Sequence, residues 1–222
     1  MIQINTPNWR IADSHDALTW SRVMTTSNRS TALSNATAGT AGTKPAAKVA
    51  HHDESHWHDI LLDGTRVLIR PINKEDAVLE REFIEHLSAR SRRLRFLGTI
   101  GVPSDTLIRK LTDIDYRRET AFAALLARDG AKHLIGVSRF SLGADRKSCE
   151  CAVTVADEWQ HKGLGTLLMR HLIDVARERG VLEMLSVDSA GNTEMRELAD
   201  YLGFKRRADP LDASQVIHSL RL

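Results

Sequence analysis

The six residues Gln160-His161-Lys162-Gly163-Leu164-Gly165 separate two stretches of sequence that have different hydrophobic patterns. Before them, Cys151 to Val155 is a short apolar run, which is typical of a strand. After them, apolar residues recur with a period near 3.6, which predicts an amphipathic helix that ends at Gly180. We therefore expect a strand, a glycine turn and a helix, and we take the segment from Glu150 to Phe204 as the centre of the fold.

The glycine turn makes the start of this helix suitable for an anion. The first turn of a helix has N–H groups without intrahelical partners and about half a positive charge, which favours phosphate. Gly163 and Gly165 have no Cβ, so a ligand can approach the backbone closely. The spacing differs from that of nucleotide-hydrolase phosphate loops and from G-x-G-x-x-G, so these arguments alone leave the ligand open.

The composition narrows the classes of partner. The 222 residues include 31 basic and 29 acidic side chains, a net charge of +2. This balance gives no general attraction to nucleic acid or to an anionic membrane, and we expect neither as a partner. No apolar run is long enough to span a bilayer and the N-terminus lacks a signal-peptide pattern, so we expect a cytoplasmic protein. Cys149 and Cys151 are expected to be reduced, because a disulfide between them would be strained.

Residues 1–58 differ in composition from the rest, and we predict that they form a flexible arm with a histidine-rich linker. Thr25 to Val49 consists mostly of small and polar residues, which bury too little apolar surface to fold. A short docking segment around Trp9 to Val23 is the alternative. We assign residues 59–222 to one folded domain.

Four histidines in the linker, His51, His52, His56 and His58, are candidate metal ligands, and His52 and His56 would share one face of a helix. No nearby cysteine and no His-Glu-x-x-His motif accompanies them. We therefore predict that the protein has no metal.

The proposed domain contains several strand and helix patterns. Strands are predicted at Arg66 to Pro71, Thr120 to Ala127, Leu134 to Phe140, Glu150 to Val155, Met184 to Val187, Lys205 to Ala208 and Gln215 to Leu220. Helices are predicted at Lys74 to Leu87, in a basic segment from Ser88, at Ser104 to Leu111, after the glycine turn and after Asn192. The order strand, helix, strand implies a right-handed crossover and a locally parallel pair in a mixed α/β sheet.

The basic segment holds Arg90, Arg92, Arg93 and Arg95. Clusters of this kind are usually solvated helix faces. Docking of an acidic partner surface is the functional alternative.

The turn matches Gln/Arg-x-x-Gly-x-Gly/Ala, the acetyl-CoA pyrophosphate loop of the GNAT superfamily of N-acetyltransferases. The sequence resembles this superfamily from about Arg66 to Leu222, in the strand before the turn, the turn itself, and Asn192 followed by Leu202-Gly203-Phe204. Three further segments look like the bacterial protein-lysine acetyltransferases of the Pat group, which act on acyl-CoA synthetases: Leu87-Ser88 through Arg95-Phe96, Gly136 to Phe140 and Val155 to Gln160. The resemblance implies an α/β (α+β) fold with a mixed, largely antiparallel sheet, a parallel, splayed central pair and helices on both faces.

The resemblance also implies how acetyl-CoA, the co-substrate, would be bound. The pyrophosphate would lie against the loop and the first turn of the helix, at Gln160, His161, Lys162, Gly163, Leu164, Gly165 and Thr166. The pantetheine would follow the backbone of Val153, Thr154 and Val155, with the Val155 N–H a candidate for polarising the thioester carbonyl. Asn192 would reach the pantetheine too, and it is also a suitable helix N-cap.

Glu150 is the candidate general base. Deprotonating a lysine of pKa about 10.4 at pH 7 costs roughly 4.6 kcal/mol, so a group that accepts the proton is useful. Glu150 begins the strand beside the coenzyme and matches the glutamate of the Pat pattern, and strand alternation places it on the same face as Ala152 and Thr154. The alternative is a surface glutamate at a strand end.

One position departs from many GNAT enzymes, which have a tyrosine four residues before the glycine of the Leu-Gly-Phe ending to protonate the departing thiolate. This chain has Ala199 there, and Tyr201 lies about 200° further round the helix. Three routes stay open: water, another hydroxyl such as Ser189, or unaided departure of a thiol of pKa about 8.5.

We therefore expect an acetyl-CoA-dependent N-acetyltransferase whose acceptor is a protein lysine, with an acyl-CoA synthetase as the partner that the Pat resemblance implies. A small-amine acetyltransferase for polyamines, amino acids or an antibiotic is the alternative enzyme. A non-catalytic acyl-CoA-sensing module is the alternative from a different class.

Overall fold

A computed structural model describes residues 56–97 and 101–222. Its strands are β1 (Trp57–Ile60), β2 (Arg66–Pro71), β3 (Glu119–Arg128), β4 (Ala131–Leu142), β5 (Ser148–Val155), β6 (Glu183–Ser189), β7 (Lys205–Ala208) and β8 (Gln215–Arg221). Its α-helices are α1 (Ala77–His86), α2 (Ala89–Phe96), α3 (Asp105–Thr112), α4 (Leu164–Glu178) and α5 (Thr193–Leu202). Short 3-10 turns at Lys74–Asp76 and Asp157–Trp159 precede α1 and the glycine turn.

The strands form one sheet in the order β1-β2-β3-β4-β5-β6-β8-β7. Every neighbouring pair is antiparallel except β5 and β6, which the α4 crossover joins in parallel. The predicted mixed, largely antiparallel sheet is confirmed, and so is its parallel central pair.

The parallel pair separates soon after it begins. β5 and β6 pair only at Ser148↔Glu183, Cys149↔Met184 and Glu150↔Leu185. Both strands continue past this point, to Val155 and Ser189, and each keeps its other neighbour, β4 for β5 and β8 for β6. A gap therefore opens in the middle of the sheet, immediately after Glu150.

Helices cover both faces of the sheet, as predicted. On one face, α4 buries Leu168, Met169 and Leu172 against strand residues that include Phe122 and Phe140. On the other face, a separate core joins α1 and α3 to β3 and β4, with Ile84, Leu111, Ala123 and Val137 among its members. The two cores stabilise the sheet from both sides. The gap between β5 and β6 is the place where its strand pairing is interrupted.

The first strand begins at Trp57, two residues before the expected start of the domain. Trp57 packs edge-on against Phe122 at 5.0 Å and stacks on His171 at 4.2 Å, and His171 Nε2 lies 2.8 Å from Asp59. Residues 1–55 of the predicted arm, with His51 and His52, lie outside the described part of the chain, whereas Trp57 and His58, the last two residues assigned to the arm, belong to β1. Across residues 56–97 and 101–222, no helix is long and apolar enough to cross a membrane.

Gly136 allows β4 and β5 to lie close beneath α4, and its replacement tests this packing. An alanine Cβ there would lie 2.9 Å from Leu168 Cδ1, 3.2 Å from Leu164 Cδ2 and 3.3 Å from the Thr154 carbonyl oxygen. We expect Gly136→Ala to lower the free energy of unfolding by about 1–3 kcal/mol in urea denaturation, because the buried leucines have little room to move. Gly101→Ala, where a Cβ meets nothing within 4 Å, is the control; equal stability of the two variants would contradict this packing.

Candidate active site

A cleft of about 430 Å³ occupies the gap between β5 and β6. Its walls come from α2, from the two separated strands, and from the N-terminal turns of α4 and α5. Among the residues predicted to form the site, the cleft brings together Glu150, Val153, Thr154, Val155, Gln160, His161, Gly163, Gly165, Thr166 and Asn192.

The edge of β5 that faces the cleft has free backbone groups. The Ala156 N–H donates to the Ile135 carbonyl, so the alternation of an antiparallel ladder directs Thr154 toward β4 and directs the N–H and C=O of Val153 and Val155 away from it. The Gln160 amide confirms this direction, because its Nε2 donates to the Val155 carbonyl at 3.2 Å. The Val155 carbonyl is therefore occupied by Gln160, and the Val155 N–H with the N–H and C=O of Val153 remain directed at the gap, where they suit an extended ligand that contains amides.

The turn before α4 presents further donors. His161 and Gly163 both have positive φ, 59° and 85°, a conformation that is uncommon for a non-glycine residue. The Leu167 N–H donates to the Gly163 carbonyl, so the amides of Leu164, Gly165 and Thr166 have no intrahelical acceptor, and no side chain caps the helix. This uncapped N-terminus fits an anionic group such as a pyrophosphate.

Two residues of the predicted loop direct their side chains elsewhere. Lys162 Nζ lies 3.1 Å from Asp63 and 4.4 Å from the centre of the Trp159 ring, and the Lys162 carbonyl accepts the Leu62 N–H. The Leu164 side chain is buried in the core under α4. Neither side chain therefore lines the cleft.

Asn192 is the N-cap of α5, as predicted. Its Oδ1 accepts the Met195 N–H at 3.2 Å and its Nδ2 donates to Asp188 Oδ1 at 3.2 Å. The side chain thus joins the start of α5 to the end of β6, at the wall of the cleft.

Glu150 is the last residue of β5 that pairs with β6, and its side chain lines the cleft. Burial raises the pKa of the Glu150 carboxyl to about 7, against the opposing effect of the positive charge of Arg95. A carboxyl with this pKa exchanges its proton near neutral pH, which is a property of a general acid or base.

Asp188 is a second carboxyl in the cleft, and the sequence analysis missed it. Its Oδ2 accepts the Ser186 hydroxyl at 2.8 Å, and burial raises its pKa. The motif around the glycine turn lies on β5 and α4, whereas Asp188 lies on β6, so no spacing within the motif indicated it.

One face of the basic helix α2 lines the cleft, so this face is neither a solvated surface nor a free docking surface. Arg90, Ser91, Leu94 and Arg95 face the cleft, at the i, i+1, i+4, i+5 spacing of one helix face. Arg90 makes a bidentate ion pair with Glu194 of α5, with N–O distances of 2.8 and 2.9 Å.

A second contact fixes the start of α2. Asp157 accepts the Ser88 N–H at 2.9 Å and the hydroxyls of Ser88 and Ser91 at 2.7 Å. Asp157 lies two residues after the end of β5, so α2 is joined to the loop that leads into the glycine turn. The contact connects two of the segments in which the sequence resembles the Pat group.

The hydroxyl candidates for protonating a thiolate are placed differently than expected. Ser189 is not among the residues that line the cleft, and its Oγ accepts the Gly191 N–H at 3.4 Å. Ala199 is buried. Tyr201, which helical geometry had excluded, lies at the rim of the cleft, 67% exposed, and its hydroxyl accepts from Arg170 at 3.0 Å.

Residues 88–204 match the model of the acetyltransferase (GNAT) family. The chain is 50% identical over 167 residues to acetyltransferase PA5475 of Pseudomonas aeruginosa, which covers 75% of this chain and 90% of that protein. It is 30% identical over 95 residues to an L-methionine sulfoximine/L-methionine sulfone acetyltransferase of Pseudomonas aeruginosa, over 41% of this chain and 55% of that protein.

Solved structures show the same fold. The GNAT domain of S. lividans PAT superposes with a TM-score of 0.69 at 24% identity, over 79% of this chain and 100% of that chain. A cAMP-binding acyltransferase from Mycobacterium smegmatis superposes with a TM-score of 0.52 at 23% identity, over 75% of this chain and 47% of that chain. Within the described ranges, no group of three or more His, Cys, Asp or Glu side chains is arranged to hold a metal ion.

Replacing Gly165 tests whether the start of α4 binds the pyrophosphate of acetyl-CoA. A side chain at this position points toward Leu198 and Val155, with room for a Cβ at 3.4 and 3.8 Å. We expect Gly165→Glu to weaken acetyl-CoA binding at least about tenfold in calorimetry, because the carboxylate repels the phosphates. Gly163→Glu should do the same, but its positive φ adds backbone strain.

The matched control is Gly165→Ala, which keeps the motif and should retain binding. Wild-type affinity in a folded Gly165→Glu variant would contradict the assignment of the turn.

Proposed function

Because this chain belongs to the GNAT acetyltransferase family, we propose that it transfers an acetyl group from acetyl-CoA to the side-chain amine of a protein lysine. The observation that carries the proposal is the position of Glu150. Its carboxyl lies where the gap in the sheet begins, in one cleft with the free edge of β5 and the uncapped end of α4.

The coenzyme would lie along the gap. The pyrophosphate would accept from the amides at the start of α4, including those of Gly165 and Thr166, and the pantetheine would pair with the open edge at Val153. Val155 lies nearer to the start of α4 than Val153 does, so its N–H would meet the pantetheine and not the thioester oxygen. In this arrangement the thioester lies between Val153 and the pairing point at Glu150.

The transfer itself needs a neutral amine. The amine nitrogen attacks the thioester carbon, the C–N bond forms as the C–S bond breaks, and the proton lost by the amine passes to Glu150. Coenzyme A leaves as a thiolate, which takes a proton from water or from Glu150, and its pKa of about 8.5 makes this departure feasible without a tyrosine at Ala199. The raised pKa of Glu150 makes its carboxylate a stronger base than an ordinary glutamate.

The cleft has an apolar section that suits the stem of a lysine. Leu94, Phe96, Leu97 and Leu111 line it, on the side of the sheet where α2 and α3 lie. Four methylene groups would pack there while the amine reaches Glu150. With the sequence resemblance to the Pat group, this favours a protein acceptor in the cytoplasm, such as an acyl-CoA synthetase.

A small amine is the second candidate acceptor. The relative that is 30% identical is named for acetylating L-methionine sulfoximine and L-methionine sulfone, which are small amino-acid analogues. The cleft contains side chains of both signs, and an amino acid, which carries both charges, suits such a lining: Arg90, Arg95, Arg139, Glu150, Asp188, Glu194 and Glu197. Both candidates share the same chemistry at Glu150.

Glu150→Gln tests the base. We expect kcat to fall by roughly 10²- to 10⁴-fold in a thiol-release assay, with acetyl-CoA affinity nearly unchanged in calorimetry, because glutamine keeps the shape but takes up no proton. Glu158→Gln is the control, since Glu158 is exposed and bonds the Trp159 indole outside the cleft. Full activity of Glu150→Gln would remove Glu150 from the mechanism.

The raised pKa of Glu150 predicts two pH dependences. A base must be ionised, so kcat should rise as pH increases through about 7 and then level off. The folded-state pKa lies above the ordinary pKa of a glutamate, so ionisation of Glu150 costs the wild-type protein stability progressively as pH rises from that ordinary value to about 7.

Glu150→Gln removes this cost. Its unfolding free energy should therefore exceed that of the wild type by on the order of 1–3 kcal/mol at pH 8 and by little at pH 4. Thermal melts across this range measure the difference, and a gap that does not change with pH would argue against a raised pKa.

A further inference from the structure

Arg95 differs from the other two arginines that line the cleft. Arg90 is paired with Glu194 at 2.8 Å, and Arg139 lies 3.6 Å from Glu80. Within the described residues, no carboxylate lies within 4.0 Å of the Arg95 guanidinium, whose Cζ lies 5.1 Å from the centre of the Phe96 ring. Arg95 is therefore a cation at the wall of the cleft whose hydrogen-bond donors remain available to a ligand.

The charged side chains near Arg95 determine which kind of anion it can bind. Arg139, Glu80, Asp188 and Glu150 all influence its charge. Glu80 lies 3.6 Å from Arg139 and offsets its charge, which leaves Glu150 and Asp188, and both line the cleft with Arg95. Burial lowers the pKa of Arg95 to about 10, so the side chain stays positive at neutral pH. A doubly charged phosphate would be repelled by the two acidic side chains, whereas a single carboxylate joined to a cationic amine adds no net charge.

We infer that the acceptor carries a carboxylate group, which Arg95 binds through its guanidinium while the acceptor amine lies at Glu150. The planar guanidinium donates two parallel hydrogen bonds to a carboxylate, which fixes its orientation as well as its distance. The inference rests on the proposed function, because it places the acceptor amine at the proposed base. The carboxylate has two possible sources: the α-carboxylate of a small amino acid, or the side chain of an acidic residue beside the acceptor lysine in a protein.

Matched acceptors test this inference with the wild-type enzyme. The first pair is Nα-acetyl-L-lysine and its amide, which differ in the α-carboxylate and share the same side-chain amine. The second pair is the blocked dipeptides Asp-Lys and Asn-Lys, in which the carboxylate belongs to the neighbouring residue. We expect kcat/KM to be at least about tenfold higher for the carboxylate member of one pair, and the pair that discriminates identifies the source.

Variants then assign the discrimination to Arg95. In Arg95→Gln the ratio of kcat/KM between the two members of the discriminating pair should fall to about 1, and Arg95→Lys should retain part of it, because lysine keeps the charge but loses the planar fork. Arg93→Gln is the matched control: Arg93 is exposed on the same helix, does not line the cleft, and its replacement should leave the ratio unchanged.

The possible outcomes separate this inference from the proposed function. Equal rates within both pairs in the wild type would overturn the inference while acetyl transfer itself stands. Acetylation of no amine, despite bound acetyl-CoA, would overturn the proposed function instead. If discrimination survives in Arg95→Gln while the pH profile of kcat shifts, Arg95 serves only as a counter-ion for Glu150 and the inference is wrong.

Discussion

The end of β5–β6 pairing after Glu150↔Leu185 is the constraint on which the site depends. Backbone N–H and C=O groups in a sheet interior normally pair with a neighbouring strand, and here those of Val153 and Val155 face a gap. The two strands stay apart because each is held on its other side, β5 by β4 and β6 by β8. The covered faces of the sheet stabilise this arrangement, so an extended ligand can take the place of the missing strand contacts.

Charge is concentrated around the same gap. Glu150 and Asp188 both have raised pKa values because they are removed from water, and Arg95 has a lowered one for the same reason. Burying these ionisable groups costs free energy, whereas an apolar side chain at the same position would stabilise the fold. Shifted pKa values of this kind cluster at functional sites in proteins.

Much of this arrangement could be predicted from the sequence, because its signals are local. The periodicity after Gly163, the cap at Asn192 and the alternation of the strands all depend on residues close together in the chain, and the structure has each of them. The position of Glu150 followed from strand alternation and the family pattern.

The missing parts depend on contacts between distant segments. Asp188 is near Glu150 only because a 15-residue helix returns the chain to the adjacent strand, and Arg90 meets Glu194 from 104 positions away. The arginine cluster suggested a solvated face, since composition does not reveal which side of a helix packs over a cleft. Spacing did contain a usable signal: positions 90, 91, 94 and 95 share one face.

The attachment of α2 at two places affects how the cleft meets its ligands. Asp157 holds the Ser88 end of this helix to the loop that leads into the glycine turn, and Arg90 holds it to α5, so this wall of the cleft is connected to two other walls. The wall loses its conformational freedom when the protein folds. Substrate binding therefore requires little further ordering of the wall. The fold thus shifts part of the entropic cost of substrate binding to the folding reaction itself.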